Sequence, residues 1–219
     1  MKCFYSDDCK LEDTSECGTQ CIRYSEISFL LKTSKIPEKK CAFKNLELIN
    51  RDKEAYKLLD EIINDMKNFV NNGENLIIYS MNSGNGKTEW AIQLMLSYFD
   101  DIWAGNGFRK RGYFIHVPTF LLQWKEFKDD ESFKELKDTI NTIDLLILDD
   151  FGIGKITEFD LNVLGSIISQ RMLNEKSTII TTNYNKSALQ EIVGMSIVNK
   201  IWNNSSVVNF VSDGYRSGR

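Results

Sequence analysis

The hexapeptide Ser83-Gly84-Asn85-Gly86-Lys87-Thr88 constrains this chain more than any other feature. It follows a short apolar run at residues 75–80 (NLIIYS) and precedes Trp90, Ala91, Leu94, Met95 and Phe99, apolar positions at helical spacing. A strand, a glycine-rich turn and a helix in that order form a phosphate-binding loop of the G-x-x-x-x-G-K-[ST] pattern, with Met81 standing at the first glycine of the pattern. Glycines let backbone N–H groups curl around phosphate oxygens, and the helix N-terminus adds positive potential. Lys87 is placed to reach the β and γ phosphates, and the Thr88 hydroxyl to ligand Mg²⁺. These six residues therefore read as an ATP/ADP site.

Further apolar runs follow at residues 112–117 (GYFIHV), 144–149 (DLLILD), 177–182 (STIITT) and 206–211 (SVVNFV). Helical patterns separate them, among them residues 158–173, so the prediction is an α/β fold with a parallel sheet flanked by helices. An earlier amphipathic helix is predicted from Tyr56 through Val70, with Asn71-Asn72-Gly73 as its stop. The third strand ends in Asp149-Asp150 after four apolar residues. Asp149 is expected to hold Mg²⁺ through water, and Asp150 to polarise the attacking water. The fourth strand ends in Thr181-Thr182-Asn183, from which Asn183 is expected to orient that water. Polar tips on successive apolar strands gather at the carboxyl edge of such a sheet. His116, the one histidine of the chain, lies inside a strand and reads as structural.

Composition excludes other classes. Lys+Arg 27 against Asp+Glu 31 gives a net charge of −4, too acidic for a protein held on nucleic acid by phosphate neutralisation alone. No apolar run approaches the roughly 18 residues that span a bilayer, and no secretory h-region opens the chain, so a cytoplasmic protein without a membrane partner is expected. Four of the five cysteines, Cys3, Cys9, Cys17 and Cys21, cluster in the first 21 residues, in a polar stretch with little to pack. In a reducing compartment that clustering favours a tetrahedral Zn²⁺ site, with free reduced thiols as the alternative. Cys41 reads as a small buried apolar residue.

The order GNGKT, LLILDDFG, TIITTN and closing DGYRSGR resembles the AAA+ ATPase domain of bacterial and phage replicative helicase loaders of the DnaC/DnaI type, relatives of the IstB-like ATPases. The resemblance runs from about residue 36 to 219. It implies residues 1–40 as a cysteine-rich, helicase-docking module, 41–55 as a linker, and 56–219 as an ATPase core without a C-terminal lid. It implies a DnaB-type hexameric helicase and single-stranded DNA as partners, an ATP-dependent homo-oligomer, slow hydrolysis used as a switch, and a bacterial or phage-encoded source. The same resemblance puts Lys200 where a trans-acting arginine is expected, matches Arg216 to the arginine of the terminal Tyr-Arg-Ser element, and adds Arg171 as a further candidate. It also assigns DNA contact to the region between the second and third strands. There Lys125 and Lys128 are the candidate phosphate contacts, and Phe120, Leu121, Trp124 and Phe127 form an apolar stripe of core character. Arg109-Lys110-Arg111 is the densest basic cluster.

A transposition-helper ATPase that coats duplex DNA and recruits a transposase shares the core motifs, but is expected to be more basic and to lack the cysteine module. A small-molecule kinase is disfavoured by Asn183. The zinc reading makes a direct prediction. Chelation of zinc disorders the N-terminal 40 residues and abolishes helicase binding, measured by limited proteolysis and pull-down; retention of both refutes the metal.

Overall fold

Runs of Leu and Ile broken by glycine-rich or polar turns build the centre of the molecule. In the computed structural model, which describes residues 21–38, 52–127 and 130–212, five such runs form strands and the intervening segments form helices. In chain order these are α1 (Ile22–Ser34), α2 (Lys53–Ile63), α3 (Met66–Asn71), β1 (Leu76–Tyr79), α4 (Lys87–Ile102), β2 (Gly112–His116), α5 (Val117–Phe127), α6 (Glu131–Thr142), β3 (Leu145–Asp149), α7 (Glu158–Leu173), β4 (Ser177–Thr182), α8 (Lys186–Val193), α9 (Met195–Trp202) and β5 (Ser206–Asn209). The predicted strands and the helix at 158–173 are all present. Every strand pairing is parallel, in the order β2-β3-β4-β1-β5. The strand that feeds the glycine-rich loop is therefore separated from the strand ending in Asp149 by β4 alone, and all three carboxyl ends meet at one edge.

Alternation along the strands supplies a core on each face of the sheet. Leu76, Ile78, Leu145, Ile147 and Ile179 pack with α1, α2, α3 and α4; Ile77, Leu146, Leu148 and Ile180 pack with α5 through α9. Helix α4 is apolar nearly all round, with Trp90, Ala91, Leu94, Met95 and Phe99 each at most 5% exposed, and this fixes the helix whose first turn carries Lys87 and Thr88. Ile27, Leu30 and Ile36 belong to the same cluster, so α1 is part of the packed body.

Three sequence expectations change. The single helix from Tyr56 to Val70 is two helices, broken at Asn64-Asp65. There Asp65, in non-helical backbone, is the N-cap of α3 and its carboxylate accepts from Asn68 Nδ2 at 2.8 Å. Arg171 is no surface or interprotomer group. It is 1% exposed, and its guanidinium donates to the carbonyls of Ile140 (2.6 Å), Ile143 (2.9 Å) and Ser177 and to Thr178 Oγ1 (3.0 Å). Burial lowers its pKa to about 9, with nearby Asp144 opposing. Lys125 is held by Asp160 at 2.8 Å, within the capping box by which Thr157 and Asp160 start α7, and not left free for a phosphate. Phe120 and Leu121 are core, as expected, while Phe127 is exposed. Lys128, Cys41 and the DGYRSGR stretch lie outside the described residues. Among the described residues no helix is long and apolar enough to cross a membrane.

Gly73 closes α3 with the predicted stop. Its N–H donates to Val70 O (3.1 Å) and that of Glu74 to Phe69 O (3.1 Å), the paired bonds of a Schellman turn. Its φ is +66°, and a Cβ there meets the Glu175 carbonyl oxygen at 2.6 Å. Gly105 has φ +81° but open space around it. Gly73→Ala is expected to cost about 2–3 kcal/mol and Gly105→Ala only the conformational part, about 1 kcal/mol. Urea unfolding of the two variants side by side checks the difference.

Candidate nucleotide-binding site

The loop after β1 is built to turn its amides outward. Gly84 (φ +75°) and Gly86 (φ +90°) adopt left-handed backbone, which a side chain resists, and α4 begins directly after Gly86. Buried Asn85 is the loop's internal strut. Its Nδ2 donates to Ser80 Oγ, and that hydroxyl donates to Phe210 O at 2.6 Å, tying the loop to the chain beyond β5. Lys87 Nζ donates to Asn82 O and Asn85 Oδ1, both at 3.1 Å. Burial pushes the Lys87 ammonium below its usual range, against the opposing pull of Asp150, Asp149 and Glu89. Met81, 63% exposed, occupies the position of the missing glycine.

The carboxylates stand opposite. Asp149, at the end of β3 and 3% exposed, accepts at one oxygen from Thr88 Oγ1 (2.8 Å) and Thr181 Oγ1 (2.7 Å). Thr181 in turn accepts the Asp150 N–H at 3.0 Å, so one hydroxyl registers both acids against β4. Asp150 has φ +58°, a conformation Asp tolerates better than most residues, and this turns the chain sharply after the strand. Gly152 continues the turn. A Cβ there meets Leu189 Cδ1 of α8 at 2.6 Å.

A cleft of about 320 Å³ collects these groups: Ser83, Gly84, Asn85, Gly86, Lys87, Thr88, Asp149, Asp150 and Asn183 all line it. His116 lines it too, which corrects its reading as a purely structural residue. Its Nε2 lies 3.3 Å from Asp150 Oδ2 and its Nδ1 2.8 Å from Thr119 Oγ1. With Nε2–H donating to Asp150, Nδ1 is left to the Thr119 hydroxyl, so both ring nitrogens are used. The signal for this role was its position as the last residue of β2, paired in register with Asp149. The donor set fits Mg²⁺: a hydroxyl and a carboxylate 2.8 Å apart offer hard oxygen ligands beside the loop.

Lys200 is elsewhere. It lies on α9, lines a groove with α7 and donates to Ser169 Oγ at 2.7 Å. Arg216, Cys3, Cys9 and Cys17 lie outside the described residues. Cys21 is a free thiol at the start of α1, and no group of three or more His, Cys, Asp or Glu suited to a metal is found among the described residues.

Comparison with known proteins agrees with this geometry. The chain is 25% identical over 188 residues to the uncharacterised protein YdaV of Escherichia coli strain K12, covering 81% of this chain and 68% of that one. Its fold is similar to the crystal structure of the DnaC helicase loader, with TM-score 0.62 and 21% identity over 76% of this chain and 92% of that one. It is likewise similar to DnaI, with TM-score 0.57 and 18% identity over 77% and 95% of the two chains. The IstB-like ATP binding protein family matches residues 21–218, and on that extent the chain belongs to this family.

Proposed function

We propose that the chain is an ATP-dependent loader that binds a DnaB-type replicative helicase and helps place it on single-stranded DNA. The observation that carries the reading is the convergence of the Lys87 loop, the two carboxylates and Asn183 in one cleft, in a fold like that of a helicase loader. In this reading the Gly84 to Thr88 amides meet phosphate oxygens, and Lys87 exchanges its loop oxygens for them. Thr88 and Asp149 hold Mg²⁺, which neutralises charge on the β and γ phosphates when bound. Asp150 takes up the proton side of the attacking water and Asn183 orients it. His116 is a positioning residue, its Nε2 set 3.3 Å from Asp150 Oδ2.

Lys200, outside its own protomer's cleft, and Arg216 are the residues offered to a neighbour's γ phosphate, which makes assembly depend on ATP. The segment ahead of α1, with Cys3, Cys9, Cys17 and Cys21 around zinc, is the docking module. Helix α1 itself packs with the core, so the functional boundary sits ahead of Ile22. Hydrolysis is slow and times release. Membership of the IstB-like family supports a second reading, a helper that coats duplex DNA.

Pull-down of a DnaB-type helicase with ATP and with ADP, using the full chain and one lacking residues 1–20, tests the proposal. Binding lost with the deletion supports the loader. No binding in either state, with hydrolysis stimulated by duplex DNA, replaces it with the second reading. Within the cleft, His116→Ala is expected to lower kcat about 5–10-fold, one hydrogen bond's worth. Nucleotide Kd should stay within twofold, and His116→Asn should recover part of the rate. Equal losses in kcat and affinity refute the positioning role.

A further inference from the structure

A second groove, of about 550 Å³ against 320 Å³ for the nucleotide cleft, opens where α1, the start of β2 and α6 meet. Lys32, Lys35 and Lys110 line it, with Phe29 and Tyr113 among its other residues and Glu135 as its one acid. In a chain of net charge −4, several cations are matched by acids: Arg23 with Asp100, Arg111 and Lys176 with Asp144, Lys125 with Asp160. Among the described residues, the ammonium groups of Lys32, Lys35 and Lys110 have no hydrogen-bond or ion-pair partner. Lys32, in the last turn of α1, and Lys35, its C-cap, stand where a helix C-terminus favours cations, and Lys110 comes from the loop ahead of β2.

The adjoining loop points the same way. Phe108 is 54% exposed and sits edge-to-face on Phe29 at 5.6 Å. Its φ is +53°, in the left-handed region that a phenylalanine adopts only when its surroundings enforce it. The enforcement is visible. Glu26, buried under the loop, accepts the Phe108 N–H (3.1 Å) and Asn106 Nδ2 (3.2 Å), and Arg109 Nε donates back to Asn106 O at 3.0 Å. A buried carboxylate thus holds an aromatic ring out to water beside three unmatched ammonium groups. Cations spaced along an aromatic-floored groove meet the requirements of an unpaired nucleic acid strand, phosphates to the lysines and base faces to the rings.

We propose that single-stranded DNA binds this groove, with Lys32, Lys35 and Lys110 on the phosphates and Phe108 stacking a base. The proposal deepens the loader reading by giving its DNA partner a surface. Gly112, Tyr113 and Lys110 mark the amino end of β2, and His116 at its carboxyl end marks the nucleotide cleft, so strand and nucleotide bind at opposite ends of the sheet without competing. One protomer offers few contacts, and an assembly multiplies them.

Fluorescence anisotropy of a labelled oligo-dT with the full chain in low salt tests this. Joint Lys32→Glu, Lys35→Glu and Lys110→Glu substitution is expected to weaken binding at least tenfold and to flatten the log–log salt dependence by about 2. Phe108→Ala is expected to weaken it about 5–50-fold, with Phe108→Tyr restoring it. All three act without loss of ATP affinity or thermal stability. Unchanged affinity and salt slope in the charge variant overturn the groove, as does duplex DNA binding as tightly and as dependent on Phe108. Helicase pull-down with the same proteins separates the readings. DNA binding through the groove without helicase capture keeps the groove and removes the loader, and helicase capture without any oligo-dT binding does the reverse.

Discussion

One carboxylate oxygen of Asp149 organises the site. It receives the hydroxyls of Thr88, from the first turn of α4, and of Thr181, from β4, so three elements distant in sequence are pinned at one atom. Hydrogen bonds to a charged acceptor contribute about 1.5–3 kcal/mol each, and a carboxylate 3% exposed is costly without them. The strand order makes this possible. Only with β4 between β1 and β3 does one threonine reach both the acid of β3 and, through the Asp150 N–H, the turn that follows. The glycine-rich loop, the helix it starts and the acid pair are therefore positioned as a unit, and displacing any of the three strands displaces all of them.

The cleft's electrostatics follow from the same packing. Lys87 is buried and would lose charge to desolvation, but Asp150, Asp149 and Glu89 pull the other way. Its ammonium rests on loop oxygens until stronger acceptors arrive. Across the cleft Asp150 is oriented from two sides, its N–H by Thr181 and its carboxylate by His116. The cationic and anionic sides are thus each held by hydrogen bonds within the protein, a preorganised arrangement facing a single cleft.

How much of this was legible from sequence depends on whether the signal was local. The five strands, the loop and α4 could be read because period-two and helical patterns, and the glycines between them, are local properties. The same holds for the acid pair, since four apolar residues before two carboxylates imply a buried strand with a polar tip. The break at Asn64-Asp65 was hidden because the apolar spacing continues through it. Arg171 and Lys125 were expected to offer their charge to a neighbour's phosphate and to DNA. Their partners, the carbonyls of Ile140, Ile143 and Ser177 and the Asp160 carboxylate, come from other elements and appear only after folding. His116 was misread for a related reason, since its partner Asp150 lies in the turn just after the neighbouring strand β3.

The two ends of the parallel sheet carry different chemistry, and the division has a structural cause. At the carboxyl ends the strands stop beside helix N-termini, where N–H groups point outward and favour anions held by backbone. At the amino end of β2 the neighbouring α1 presents its C-terminus, whose carbonyls repel a phosphate, so anion binding there has to come from side chains. Lys32, Lys35 and Lys110 stand at that end, with the ring of Phe108 fixed next to them by Glu26. The same end also holds the Arg111–Asp144 and Lys176–Asp144 pairs, just ahead of β2, β3 and β4, so the charge left for a polyanion there is that of the three lysines lining the groove. Such a division lets one small sheet hold a nucleotide through its backbone and a second polyanion through its side chains, each at an end unsuited to the other.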